Sequence, residues 1–352
     1  MTQGLAIAQQ QTSENTQNEQ QEAPNTANPV QTIFQFTLNL SPLTYTQTGI
    51  NGKDYAGNGI LFNREQTNSI ATSFQFGLSL WSKLKIFLNT DFLNTDINVD
   101  DTAVGKIAKI SGLLGWKNVI MTIRNQTISG RYEWTADNPY SMTDNTQENY
   151  AAQLFNAEIQ YNVMTLFNNF FDDGLPTLAS GVYLGFIYGN YKFPTPIEIR
   201  RNNSLMGLAF EPQANAQTFG ISFLYDSTLN FFNSPGFLDD MKSSFNNVYF
   251  VPLLSLWGYL SFGSGEISKN VSDSINQQLQ GTGAAFERKT GAFSTGFEGI
   301  SGVSFIMKAG RTMVNISTGV NYGFHFIRSL DQQTFYFTPT YIGLAVRAGI
   351  VF

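Results

Sequence analysis

The sequence predicts an all-β fold: a transmembrane, antiparallel, up-and-down β-barrel of about twelve strands, or fourteen if one more hairpin is present. Three observations predict it. Apolar and polar residues alternate with period 2 in segment after segment. Only 13% of the 352 residues are charged while 14% are aromatic, against about 25% charged in a soluble domain, so much of the surface need not meet water. Tight turns also alternate with long polar connections along the chain, the asymmetry of membrane barrels.

Ahead of the first strand, residues 1–30 read as a disordered tail. The stretch QQQTSENTQNEQQEAPNTANPV (9–30) offers too little apolar surface to offset chain entropy. Within residues 1–8, Ala6-Ile7-Ala8 before Gln9 resembles the end of a signal peptide at its A-x-A cleavage site, either a truncated remnant lacking the basic region and most of the apolar region or a chance match in a flexible tail. The barrel is expected over 31–352.

Its strands are expected at 31–41, 67–81, 84–97, 105–116, 119–135, 149–164, 177–193, 215–228, 246–262, 289–306, 311–327 and 334–352. In the first, Phe34, Phe36, Leu38 and Leu40 oppose Gln35, Thr37 and Asn39. Ile70, Phe74, Phe76, Leu78 and Leu80 form the apolar side of the second, with Gln75 on the other. Phe155, Ala157, Ile159, Tyr161 and Val163 oppose Asn156, Glu158, Gln160 and Asn162. The cleanest strand sets Val314, Ile316, Thr318, Val320, Tyr322, Phe324 and Phe326 against Asn315, Ser317, Gly319, Asn321, Gly323 and His325. Successive strand residues point to opposite faces, so each segment builds one greasy wall and one polar wall. Several run past 10 residues, beyond the 5 or 6 usual in a sandwich. Phe36, Leu78, Ile159, Val320 and Val346 are assigned to the lipid side.

No run reaches the roughly 18 apolar residues that a membrane helix needs, and closed barrels are the other way to satisfy every backbone group in lipid. Ser82-Lys83, Lys117-Asn118 and Lys308–Arg311 read as tight turns, and 44–66, 136–148, 194–214 and 263–288 as long outer loops. TLFNNFFDDGLP (165–176) and TLNFFNSPGFLDDMKSSF (228–245) read as short amphipathic segments lying at the interface.

The last strand ends with Ile342, Leu344, Val346, Ala348, Ile350 and Phe352 on one face and Gly343, Ala345, Arg347 and Gly349 on the other. In this the chain resembles bacterial outer-membrane barrel proteins as a class, whose final strand ends in Phe or Trp behind alternating apolar residues. The resemblance implies an outer-membrane location and, as partners, outer-membrane lipid and the barrel-assembly machinery, which reads the strand ending in Phe352. A net charge of -6 and a pI near 4.9 argue against a nucleic-acid partner. No feature fixes an oligomeric state.

Chemistry is sparse. There is no Cys and one His, which excludes thiolate and multi-His metal sites and most catalytic triads. No cofactor is implied and no enzyme is expected. The inward face instead carries mixed charge: Asp91, Lys109, Arg124, Glu158, Asp226, Glu298 and Arg347, with Gln126, Asn321 and His325. If 119–135 and 149–164 pair symmetrically about their loop, Arg124 faces Glu158, with Gln126 and Asn156 beside them. Such a set either fills a narrow barrel with hydrogen bonds or forms a charged constriction that selects solutes. In 246–262 both faces are apolar, with Tyr249, Val251, Leu253, Trp257 and Tyr259 turned inward. That wall packs against an inserted segment or lines a track for apolar molecules. The function expected is a pore or channel for small solutes. The alternatives are a surface barrel that displays its loops, as an adhesin, antigen or scaffold does, and a channel for apolar substrates.

Overall fold

The computed structural model describes residues 32–53, 59–80, 84–94, 105–133, 147–170, 181–194, 197–201, 204–209, 212–227, 248–269, 272–273, 276–277, 280, 288–309, 312–330 and 336–351. Alternation builds strands at β1 (Thr32–Lys53), β2 (Gly59–Leu80), β3 (Leu84–Asn94), β4 (Gly105–Trp116), β5 (Val119–Glu133), β6 (Gln147–Asn162) and β7 (Val182–Pro194). Then come β8 (Ile197–Arg201), β9 (Ser204–Ala209), β10 (Pro212–Asp226), β11 (Val248–Ile267), β12 (Lys289–Ala309), β13 (Thr312–Ser329) and β14 (Tyr336–Val351). All pairings are antiparallel between chain neighbours, save that β7 pairs with β10 and β1 with β14. The last pairing closes the sheet in the order β1-β14-β13-β12-β11-β10-β7-β6-β5-β4-β3-β2. The short β8–β9 hairpin forms a separate sheet.

The expected loops shrink at three places. In 44–66, β1 and β2 continue as a ladder from Thr44↔Ser69 to Lys53↔Gly59, so only 54–58 are left as connection. Thr44, Tyr45, Thr46 and Thr48 favour extended chain, and a strand with two polar faces is stable once it projects beyond lipid. In 194–214 the chain folds back as β8 and β9. β11 likewise runs on to Ile267, past the expected end at 262.

The two-residue connection Lys117-Asn118 joins the paired ends Trp116 and Val119, and Lys117 takes a left-handed φ of 53°. Ala309 pairs with Thr312, which shortens the expected turn 308–311 to two residues. Val163–Phe170 forms a 3-10 helix with Leu166 exposed. Residues 1–31, 171–180, 228–247 and Phe352 lie outside the described residues, and with them the tail, most of the two interfacial segments and the terminal Phe.

The two walls separate as the parity dictates. Met121, Ile123, Ile159, Leu184, Phe186, Phe219, Ile221, Val320 and Val346 are exposed on the outside. Ile120, Leu154, Tyr183, Tyr191, Ala214, Trp257 and Ile327 are buried on the inside. A soluble protein hides its large apolar side chains, whereas this one turns many outward in a continuous band, as a barrel solvated by lipid must. Of the other assigned lipid-side positions, Phe36 and Leu78 have side chains outside the described residues.

Candidate functional site in the lumen

Glu158 on β6 is the first hub of the inner wall. Arg124 Nε on β5 donates to its Oε1 at 3.0 Å. Trp257 Nε1 on β11 donates to its Oε2 at 2.8 Å, and Gln160 Nε2 donates to the same oxygen at 3.0 Å. The Arg124 guanidinium also lies 4.2 Å above the centre of the Trp257 ring. A carboxylate that is 5% exposed needs such donors, because an unpaired buried charge is very costly. Gln160 continues the chain to Ser222 Oγ on β10 at 2.8 Å, and Tyr191 on β7 donates to Asn156 at 2.7 Å.

Arg124 and Glu158 meet, but not in the expected register. Arg124 is paired with Asn156, and Glu158 with Thr122. The ladder is offset by two residues from a symmetric hairpin, so parity survives and the ion pair becomes diagonal. Side chains of this length span the diagonal readily.

Glu298 on β12 is the second hub. Lys109, on β4, forms an ion pair with it from across the lumen. His325 Nε2 on β13 is 3.0 Å from Glu298 Oε1, and His325 Nδ1 is 3.3 Å from the Tyr259 hydroxyl. An ionised carboxylate only accepts, so the contact with Glu298 needs the proton on Nε2. Tyr259 in turn meets Ser294 Oγ at 2.9 Å.

Among the described residues, the inward apolar face of β11 packs against the barrel's own side chains. Trp257 and Tyr259 supply polar ends to the two hubs, while Tyr249 and Val251 pack with Ile306, and Leu253 with Ile300 and Ala345. A larger apolar cluster runs along the inner wall from Ile120, Tyr183 and Leu224 through Trp257 and Tyr259 to Tyr191, Ala214 and Ile327, and the charged groups lie against it. Glycines make room for the aromatics. A Cβ at Gly189 would fall within the Tyr191 ring, and one at Gly296 within that of Tyr259.

Gln126 is buried between Lys109 and Leu154 in the ladders. Asp226 accepts from Ser255 at 3.0 Å near the short-turn end. Asn321 and Arg347 are half-buried on β13 and β14. Asp91 is in register with Lys109, and its side chain lies outside the described residues. Tyr259, Gln160, Ser222, Tyr191 and Ser294 belong to the network although sequence reasoning did not single them out. Inward parity was their only signal, and it does not distinguish a partner from a filler.

No family model matches the sequence, and no curated relative does. Among solved structures the chain is similar to the β domain of the Bordetella autotransporter BrkA, with TM-score 0.30 and 11% identity over 89% of this chain and 98% of that one. It is also similar to the Escherichia coli outer-membrane protease OmpT, with TM-score 0.25 and 7% identity over 91% and 96%. The P. putida toluene transporter TodX gives TM-score 0.28 and 6% identity over 91% and 89%. At such values the chain's own two faces weigh more than the likeness.

Proposed function

We propose that the protein is a twelve-stranded outer-membrane barrel whose lumen is closed by its own side chains and whose long-connection end is presented outside the cell. The Lys109–Glu298 pair carries this reading. Its strands, β4 and β12, lie half-way round the sheet from each other. Lys and Glu side chains meet from opposite walls only where the lumen is narrow. The buried apolar clusters of the inner wall add to the closure. At the long-connection end, β8 approaches β1 from the other side of the ring, to within 8 Å between Cα atoms.

Such a barrel works as a surface scaffold that displays its connections, as an adhesin or antigen does, without catalysis. Residual exposure favours a second reading, a narrow channel for small solutes gated at the charged layer. The side chains of Lys109 and Arg124 keep 12% and 14% of their surface open. Single-channel recording in planar bilayers decides between the two. The closed barrel gives no stable steps, and steady ion-selective steps from the wild-type protein would replace it with the channel. Insertion by the barrel-assembly machinery through the strand ending in Phe352 belongs to the same proposal.

A further inference from the structure

The outside of the wall carries a feature that the closed lumen does not explain. Tyr188, Phe219, Phe262, Phe293 and Arg328 stand directly opposite one another across β7, β10, β11, β12 and β13, all with outward parity. The rings touch in two pairs: Tyr188 and Phe219 centres lie 4.9 Å apart, and those of Phe262 and Phe293 5.2 Å. Arg328 ends the ladder with its guanidinium 5.8 Å from the Phe326 ring.

On the short-turn side of this ladder, the same strands enclose a groove of about 530 Å³. Leu184, Ile221, Phe223, Leu260, Phe297 and Phe324 form its walls. At its floor Gly258 lets the Phe223 ring pack against the strand, because a Cβ there would collide with that ring.

On the long-connection side, the outward residues turn polar and then charged. Asn190, Gln217 and Ser264 come first, followed by Lys192, Asn215, Glu266 and Lys289 in register. Glu266 is taken by Arg288 at 3.3 Å, while Lys192 and Lys289 are exposed. Three polar atoms on this patch are buried without a hydrogen-bond partner among the described residues: Arg328 Nε, Asn190 Oδ1 and Asn215 Oδ1.

Groove, aromatic ladder and cations thus follow one another along a single set of strands. That is the order of parts in an anionic amphiphile: hydrocarbon, interface and charged head. Aromatic rings favour the interface, and guanidinium and ammonium groups favour phosphate.

We infer that this wall binds one phosphorylated lipid of the outer leaflet. An acyl chain lies in the groove at Gly258. Arg328 holds the phosphate, with Lys289 and Lys192 adding to the field around it. The inference rests on the reading of this wall as lipid-facing and of the long-connection end as external.

The test uses the full chain refolded in detergent, with native mass spectrometry counting retained lipid. The probes are diphosphoryl lipid A and its dephosphorylated form. One lipid A is retained per barrel, and removal of its phosphates weakens retention roughly tenfold, as expected for a lost charge-assisted contact. Arg328→Gln weakens lipid A by a similar factor and leaves the dephosphorylated form unchanged. Thr295→Trp, which fills the groove, weakens both; Leu260→Trp serves if that variant does not fold. Equal retention of the two probes, or wild-type retention by Arg328→Gln, overturns the inference. Vesicle insertion, followed by the heat-modifiable gel shift, is scored separately. A barrel that inserts without phosphate preference loses only this site, whereas one that does not insert loses the membrane reading as well.

Discussion

Lys109 and Glu298 form an ion pair across the lumen although 189 residues separate them in the chain. Their meeting ties β4 to β12 by side chains alone, since no backbone ladder joins those strands. Removing one partner leaves the other buried beside apolar layers. Lys109→Met is expected to cost about 3–5 kcal/mol, and the double change Lys109→Met with Glu298→Gln appreciably less than the two single costs combined. Urea unfolding of the refolded barrel measures the cycle. Strict additivity would mean that the pair does not form.

The space at Gly296 is a second sharp point. A methyl group there collides with the Tyr259 ring and with His325 Nδ1. Gly296→Ala should lower stability by about 1–3 kcal/mol, the usual cost of overpacking. In a Tyr259→Ala background the same change should cost much less. A Gly296→Ala barrel as stable as the wild type would show that Tyr259 does not lie over this position.

Lys117 holds a φ of 53°, which a side chain with a Cβ adopts at a cost of about 1–2 kcal/mol. Glycine adopts it freely. Lys117→Gly is therefore expected to stabilise the β4–β5 hairpin by roughly 1 kcal/mol, less what glycine loses in chain entropy. A shift of the unfolding midpoint to lower urea would count against the turn.

Ile159 is 50% exposed on the outer face of β6. A lysine introduced there should cost about 2–4 kcal/mol near the bilayer midplane, whereas Gln217→Lys, beyond the aromatic ladder, should cost at most about 1 kcal/mol. Equal costs at the two positions would remove the assignment of this wall to lipid.

Face assignment was legible because it needs only local parity. Ile159 and Val320 point out and Glu158 and His325 point in, as their alternation dictates. Register was harder. The Arg124–Glu158 contact was anticipated from a symmetric loop, yet Arg124 stands opposite Asn156 because the hairpin is skewed by two residues. Only a one-residue slip would have reversed the faces. Pairing across the lumen was beyond local reasoning altogether. Whether Glu298 meets Lys109 or some other inward cation depends on how the closed ring is narrowed, and no single strand carries that information. Tyr259 was misjudged for a related reason: beside Trp257 and Leu253 it reads as grease, and its hydroxyl acquires a partner only when β12 and β13 bring Ser294 and His325 to it.

β11 is 20 residues long and β12 is 21, while about 9–11 tilted residues cross a membrane. At about 3.3 Å per residue β11 measures about 65 Å, and a tilt near 45° still leaves about 45 Å of height against an apolar band of about 25 Å. The surplus rises past Phe262 as a hydrogen-bonded collar, with Lys192, Glu266 and Lys289 on its outer side. In the proposed display role, a ligand would meet a stiff palisade that needs little ordering on binding, so little entropy would oppose the encounter.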